Sequence, residues 1–136
     1  MIFVDTSAWV AVTDKADQHH LEASRFFKQR MKNGTRWITS DYVLSETITR
    51  IRYNVGHRLA VEAIKRFNRA AGLDLLRIVK IDDPLRQEAE KIFIRYDDQL
   101  FSFVDCASFA LCIRESITQV FTFDRDFQIM KFTTSP

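Results

Sequence analysis

Two short runs constrain this chain most. Ile2-Phe3-Val4 is apolar without a polar break and ends on Asp5, and Val120-Phe121-Thr122-Phe123 ends on Asp124 in the same way. A strand that is apolar on both faces has to be covered on both faces, which is the situation of a parallel sheet between helices. In an open parallel sheet, ligands bind outside the carboxyl ends of the strands. Both aspartates are therefore expected at one edge of such a sheet.

The rest of the chain alternates strand and helix signals. Ala8 to Val12 reads as a short helix, and Thr13 to Gln18 as a polar loop. His19 to Lys32 is a second helix with Leu21, Phe27 and Met31 as its apolar stripe, stopped by Asn33-Gly34. Trp37-Ile38-Thr39 is a strand, and Ser40 or Asp41 caps a helix to about Asn54 that buries Leu44, Thr47, Ile48 and Ile51. Gly56 breaks it. Arg58 to Ala71 follows, with Ala60, Ala63, Ile64, Phe67 and Ala71 inward and Gly72 as its end. Leu76 to Ile81 is β-like, and Asp82-Asp83-Pro84 opens a helix burying Leu85, Ala89, Ile92, Phe93 and Tyr96. A further helix spans about Phe101 to Ser116, and Val120 to Phe123 is a strand. The tail from Asp126 to Pro136 has room for one helical turn and an edge strand. This alternation argues for a single domain over 1–136, an α/β sandwich around a short parallel sheet.

Length and composition narrow the class. At 136 residues the chain can bury a core without disulfides or metal staples. No apolar run approaches the ~20 residues of a membrane span, and the N-terminus lacks the basic segment and apolar core of a signal peptide. Cys106 and Cys112 lie six apart on one predicted helix, roughly 9 Å along its axis, too far to bridge. A reducing cytoplasm is the expected location. Between Arg25 and Arg69 there are eleven Lys/Arg against three acids, a net of +8, while the remainder carries −6. Such asymmetry fits a basic surface set against an acidic site, and equally a set of solvated helix faces.

The acids carry the chemistry. Leu100 to Ile113 contains one charge, Asp105, and no Lys or Arg precedes Arg114 in that helix. An ionised carboxylate in so apolar a setting costs several kcal/mol without a partner. A distant basic residue, a raised pKa, a metal ion or a loop-capping role would each account for it. Asp5 and Asp124 at neighbouring strand ends would repel unless a cation sat between them, although strand-end acids are also common turn residues. Asp126 is a substitute for Asp124 or a support for it. Glu46 stands four residues before Arg50, and spacing alone does not tell an ordinary helix pair from the wall of a cleft.

Asp5-Thr6-Ser7, Glu46 within Val43-Leu44-Ser45-Glu46-Thr47, Asp105 within Phe103-Val104-Asp105-Cys106-Ala107, and Thr122-Phe123-Asp124-Arg125-Asp126-Phe127 occur in an order that resembles a PIN domain. The likeness spans essentially the whole chain and is strongest to the VapC-type toxins of toxin–antitoxin pairs. It implies a three-layer α/β/α sandwich and an endoribonuclease in which Asp5, Glu46, Asp105 and Asp124 bind Mg²⁺ or Mn²⁺. It also implies a homodimer, an RNA substrate and an antitoxin that blocks the site. An all-carboxylate set suits Mg²⁺, a hard ion that prefers oxygen, and one ion or two are both compatible with it. Ser7 and Thr122 are placed to orient waters or carboxylates. Arg50 and Arg52 are candidates for phosphate contacts, and Tyr42 or Tyr53 for base stacking.

Other chemistries find no support. His19 and His20 are adjacent and diverge by about 100° on a helix. No glycine-rich phosphate loop occurs, and no nucleophile elbow surrounds Ser7 or Cys106. Two other readings stand beside the toxin: an RNA- or DNA-processing nuclease of the same fold, and a non-catalytic partner-binding domain.

Overall fold

The computed structural model describes residues 1–136. Five strands, β1 (Ile2–Val4), β2 (Trp37–Ser40), β3 (Leu76–Val79), β4 (Gln119–Phe121) and β5 (Thr133–Ser135), make one sheet in the order β3-β2-β1-β4-β5. Every neighbouring pair is parallel. The connections carry α1 (Thr6–Thr13), α2 (His20–Lys32), α3 (Asp41–Asn54), α4 (His57–Gly72), α5 (Asp83–Arg95), α6 (Phe103–Arg114) and the single turn α7 (Asp126–Ile129). The result is the expected α/β architecture.

Strand register explains the two cores. Phe3 is level with Ile38 and Val120, so these share one face, while Ile2 with Trp37 and Val4 with Phe121 share the other. On the first face Phe3 meets Phe127, which packs edge-on against Phe109 at 5.0 Å. On the second, Trp37 stacks on Phe27 at 4.9 Å and Phe121 meets Phe26 at 4.7 Å. Trp9 closes that side against Phe67 at 5.0 Å. The sheet is thus sealed above and below by aromatic rings, and β1 and β4 are wholly inside apart from half-buried Gln119.

Several boundaries differ from expectation, each for a local reason. α1 begins at Thr6, directly after Asp5, and runs to Thr13. β4 stops at Phe121 because the Phe123 N–H donates to Ser7 Oγ at 2.9 Å instead of continuing the ladder. α6 begins at Phe103, two residues later than expected, because Ser102 caps it. The stripe of α2 is Ala23, Phe26, Phe27 and Met31; Leu21 lies about 200° around the helix from Ala23 and is 72 % exposed. Ile64 and Phe93, expected inward, stand at 38 % and 50 % exposure. Cys106 and Cys112 are buried free thiols, and no helix is long and apolar enough to cross a membrane.

Candidate active site

The site lies where β1, β4 and the N-terminus of α6 meet. Asp5 leaves β1 with its N–H donated to the Phe121 carbonyl at 3.1 Å, so the last rung of the ladder fixes its backbone. It stands at the N-terminus of α1 but makes no side-chain cap there. Its Oδ2 instead accepts hydrogen bonds from Thr122 Oγ1 at 3.0 Å and Ser7 Oγ at 3.2 Å. Both hydroxyls fall on one oxygen.

The other aspartates are held in the same fashion. Ser102 caps α6 by accepting the Asp105 N–H at 3.0 Å, and Asp105 Oδ2 accepts the Ser102 N–H at 3.0 Å. This capping box occupies one carboxylate oxygen. Asp124 donates its N–H to Thr122 Oγ1 at 2.9 Å and accepts the Asp126 N–H on Oδ1 at 2.9 Å. Each of the three acids is oriented by one oxygen and presents the other.

Asp5, Glu46, Asp105, Asp124 and Asp126 all line one open cleft of about 600 Å³, together with Arg50. Carboxylate oxygens of Asp105, Asp124 and Asp126 lie within 4.8 Å of one another. Asp126 therefore sits inside the tightest group, whereas Asp5 and Glu46, expected as ligands beside Asp105 and Asp124, line the same cleft without belonging to that group. Glu46 faces the cleft from α3, half-buried, with Arg50 Nη1 at 3.8 Å. Arg52 is not part of the lining; its guanidinium lies against His57 Nδ1 on the exposed side of the protein. Tyr42 neighbours Glu46 and Arg50 in a shallower groove, and Tyr53 is exposed. Thr6 and Arg125, which stand inside the motifs without a role assigned to them, and Ser102, which no motif contains, complete the polar wall. Adjacency to Asp5 and Asp124 was the only sequence signal for Thr6 and Arg125, and the place three residues before Asp105 the only one for Ser102.

Electrostatics single out this cluster. None of the chain's ion pairs reaches Asp5, Asp105, Asp124 or Asp126. Burial pushes the Asp5 carboxyl up to about 6, with Asp124 adding to the rise against the hydrogen bonds of Thr6, Thr122 and Ser7. Burial likewise pushes Asp105 to about 7, helped by the charges of Asp5 and Asp124. Asp126 is raised by desolvation and by Asp124, offset by a hydrogen bond with Asp105. Such contacts between carboxyls need a shared proton or a cation.

The donor set fits a hard divalent ion. All its candidate ligands are oxygens, as Mg²⁺ and Mn²⁺ prefer. The nearby Cys106 thiol is raised by burial to about 11, so it offers no thiolate. Thr6 Oγ1 is buried in the same wall without a hydrogen-bond partner in the protein. An ordered water at the site would satisfy it.

The structure defines an α/β protein with unpaired carboxylates gathered at the carboxyl edge of a parallel sheet, and the comparisons give the family. The chain belongs to the PIN domain family, matched over residues 2–132. It is 34% identical over 135 residues to the 23S rRNA-specific endonuclease VapC20 of Mycobacterium tuberculosis, in strains CDC 1551 / Oshkosh and ATCC 25618 / H37Rv alike. The match covers 97% of this chain and 95% of that protein. The crystal structure of M. tuberculosis VapC20, described as a sarcin–ricin loop cleaving toxin, aligns with a TM-score of 0.87 and 33% identity. That match covers 98% of this chain and 97% of the other.

Proposed function

We propose that this chain is a metal-dependent endoribonuclease of the VapC type, the toxin of a toxin–antitoxin pair, which hydrolyses phosphodiester bonds in RNA. The observation that carries this reading is the convergence of Asp5, Glu46, Asp105, Asp124 and Asp126 on one cleft with no cation paired to the four aspartates. The likeness to VapC20 supports structured ribosomal RNA, and the sarcin–ricin loop of 23S rRNA in particular, as the substrate.

In this reading Asp5, Asp105, Asp124 and Asp126 hold Mg²⁺ or Mn²⁺, with Glu46 lining the same cleft from α3. A divalent cation supplies charge neutralisation at the scissile phosphate and eases deprotonation of the attacking water. The chain's own groups do the positioning. Ser7 and Thr122 hold Asp5 with one oxygen outward, Ser102 does so for Asp105, and the Asp126 N–H does so for Asp124. This pre-sets the ligand oxygens before substrate arrives. Glu46 lines the cleft with its carboxylate half-exposed, the position from which it would take a proton from the attacking water. Arg50 offers positive charge beside it.

A homodimer and an antitoxin belong to the same reading. Exposed Phe93, Ile94 and Leu100 near the end of α5 supply apolar surface that a second chain would cover. The cytoplasm, where ribosomes and reduced thiols are found, is the proposed location.

The test is cleavage of 23S rRNA, or of an oligonucleotide carrying its sarcin–ricin loop, by the purified chain. Cleavage with Mg²⁺ or Mn²⁺, lost in excess chelator and in Asp5→Asn, supports the reading. Full activity in either condition refutes it. Preference for branched DNA over RNA would favour a processing nuclease instead.

A further inference from the structure

Two cations line the carboxylate cleft, and they differ. Arg50 lies 3.8 Å from Glu46 on its own helix. Arg125 has no carboxylate partner, although it stands between Asp124 and Asp126 in the chain. Its guanidinium makes no hydrogen bond within the protein and stacks on no ring, whereas Arg30 lies over Phe26 and Arg95 over Tyr96.

The backbone around Arg125 is nonetheless tightly held. Asp124 is pinned through Thr122 Oγ1 on one side and the Asp126 N–H on the other. The Arg125 carbonyl accepts from Gln128 at 3.0 Å and Ile129 at 3.3 Å. A fixed backbone therefore carries a free guanidinium at the wall of a cleft whose other charged groups are five carboxylates and Arg50. Such acids repel a phosphodiester until cations neutralise them. An arginine at the rim then gives the anionic strand a fork of donors that matches phosphate oxygens.

We infer that Arg125 is a substrate-binding residue that grips a phosphodiester of the RNA strand lying in the carboxylate cleft, an inference that rests on the ribonuclease reading above. Its contact is to backbone phosphate and not to a base, so it contributes affinity and position without sequence preference.

The experiment measures binding of a fluorescent sarcin–ricin-loop RNA in Mg²⁺ by anisotropy, over a series of salt concentrations. Asp5→Asn serves as background so that the RNA stays intact. Adding Arg125→Ala is expected to weaken binding roughly tenfold, equally for unrelated single-stranded sequences. The slope of log affinity against log salt should shrink by about 0.7–0.9. Arg125→Lys keeps the charge and should restore the slope while recovering only part of the affinity. In the otherwise wild-type enzyme, Arg125→Ala should raise KM more than it lowers kcat. Because the side chain is exposed and unbonded, neither variant should unfold the protein. Unchanged affinity and slope in Arg125→Ala, with RNA still bound by the background, overturns this inference and leaves the ribonuclease reading intact. If the wild type neither binds nor cleaves RNA, the ribonuclease reading itself fails and Arg125 loses its assigned ligand with it.

Discussion

Thr122 donates its hydroxyl to Asp5 Oδ2 at 3.0 Å across 117 positions of chain, and the same hydroxyl oxygen accepts the Asp124 N–H at 2.9 Å. One side chain thereby couples the acids at the ends of β1 and β4. Ser7 lies beside it, 3.2 Å from both Thr122 Oγ1 and Asp5 Oδ2.

Removing that coupling should loosen the metal site without unfolding the sheet. Thr122→Val keeps the shape of the side chain but loses the donor to Asp5 and the acceptor for Asp124. We expect Mn²⁺ affinity to fall about 10–100-fold, the usual cost of losing a group that orients a ligand. Titration followed by electron paramagnetic resonance reads this directly, and circular dichroism checks the fold. Wild-type affinity in Thr122→Val would show that Asp5 needs no such support.

Asp126 should behave as a ligand rather than a support. Its carboxylate shares a 4.8 Å neighbourhood with those of Asp105 and Asp124, so Asp126→Asn should weaken metal binding as severely as Asp124→Asn. Activity should fall in both by more than the roughly 10–100-fold that losing a group which merely orients a ligand costs. A mild Asp126→Asn beside a dead Asp124→Asn would return Asp126 to a supporting role.

The strands and their acids were legible because burial on both faces leaves a plain mark: Ile2-Phe3-Val4 and Val120-Phe121 have no polar side to show. Asp105 stood out because it is the one charge between Leu100 and Ile113. Glu46 was illegible on physical grounds, since its pairing with Arg50 at 3.8 Å is what any exposed helix would show. Only the motif order raised it. The closeness of Asp126 depends on the turn closed by Asp124 Oδ1 and on α7 starting at Asp126, and residue types alone do not dictate either. Leu21 misled because a large apolar residue in the first turn of α2 reads as core, while the small Ala23 is the residue that fits against the neighbouring elements.

The raised carboxyls make metal binding and stability depend on pH in opposite senses. Asp5 and Asp105 sit at about 6 and about 7 in the fold, against an ordinary 3.8. The folded metal-free protein therefore holds these protons more tightly than the unfolded chain. The stability they contribute is complete below about pH 3.8 and is lost as pH rises through 6 and 7. A divalent ion needs the ionised forms, so its affinity should climb over that same window. Thermal melts with Mn²⁺ and with chelator should differ little near pH 5 and most near pH 8. A difference independent of pH would mean that Asp5 and Asp105 do not bind the ion.

The cap of α6 separates stability from chemistry. Ser102 Oγ accepts the Asp105 N–H, but the bond that orients the Asp105 carboxylate comes from the Ser102 backbone N–H. Ser102→Ala removes the first and leaves the second. It should cost about 1 kcal/mol of stability, as loss of a serine cap usually does, and lower Tm by about 3 °C for a domain of this size. Mn²⁺ affinity should change less than about threefold, because a backbone donor survives the substitution. Melts in chelator read the stability and a Mn²⁺ titration reads the site. An affinity loss as deep as that of Thr122→Val, with no change in Tm, would mean that the hydroxyl acts on the metal site directly rather than through the helix it begins.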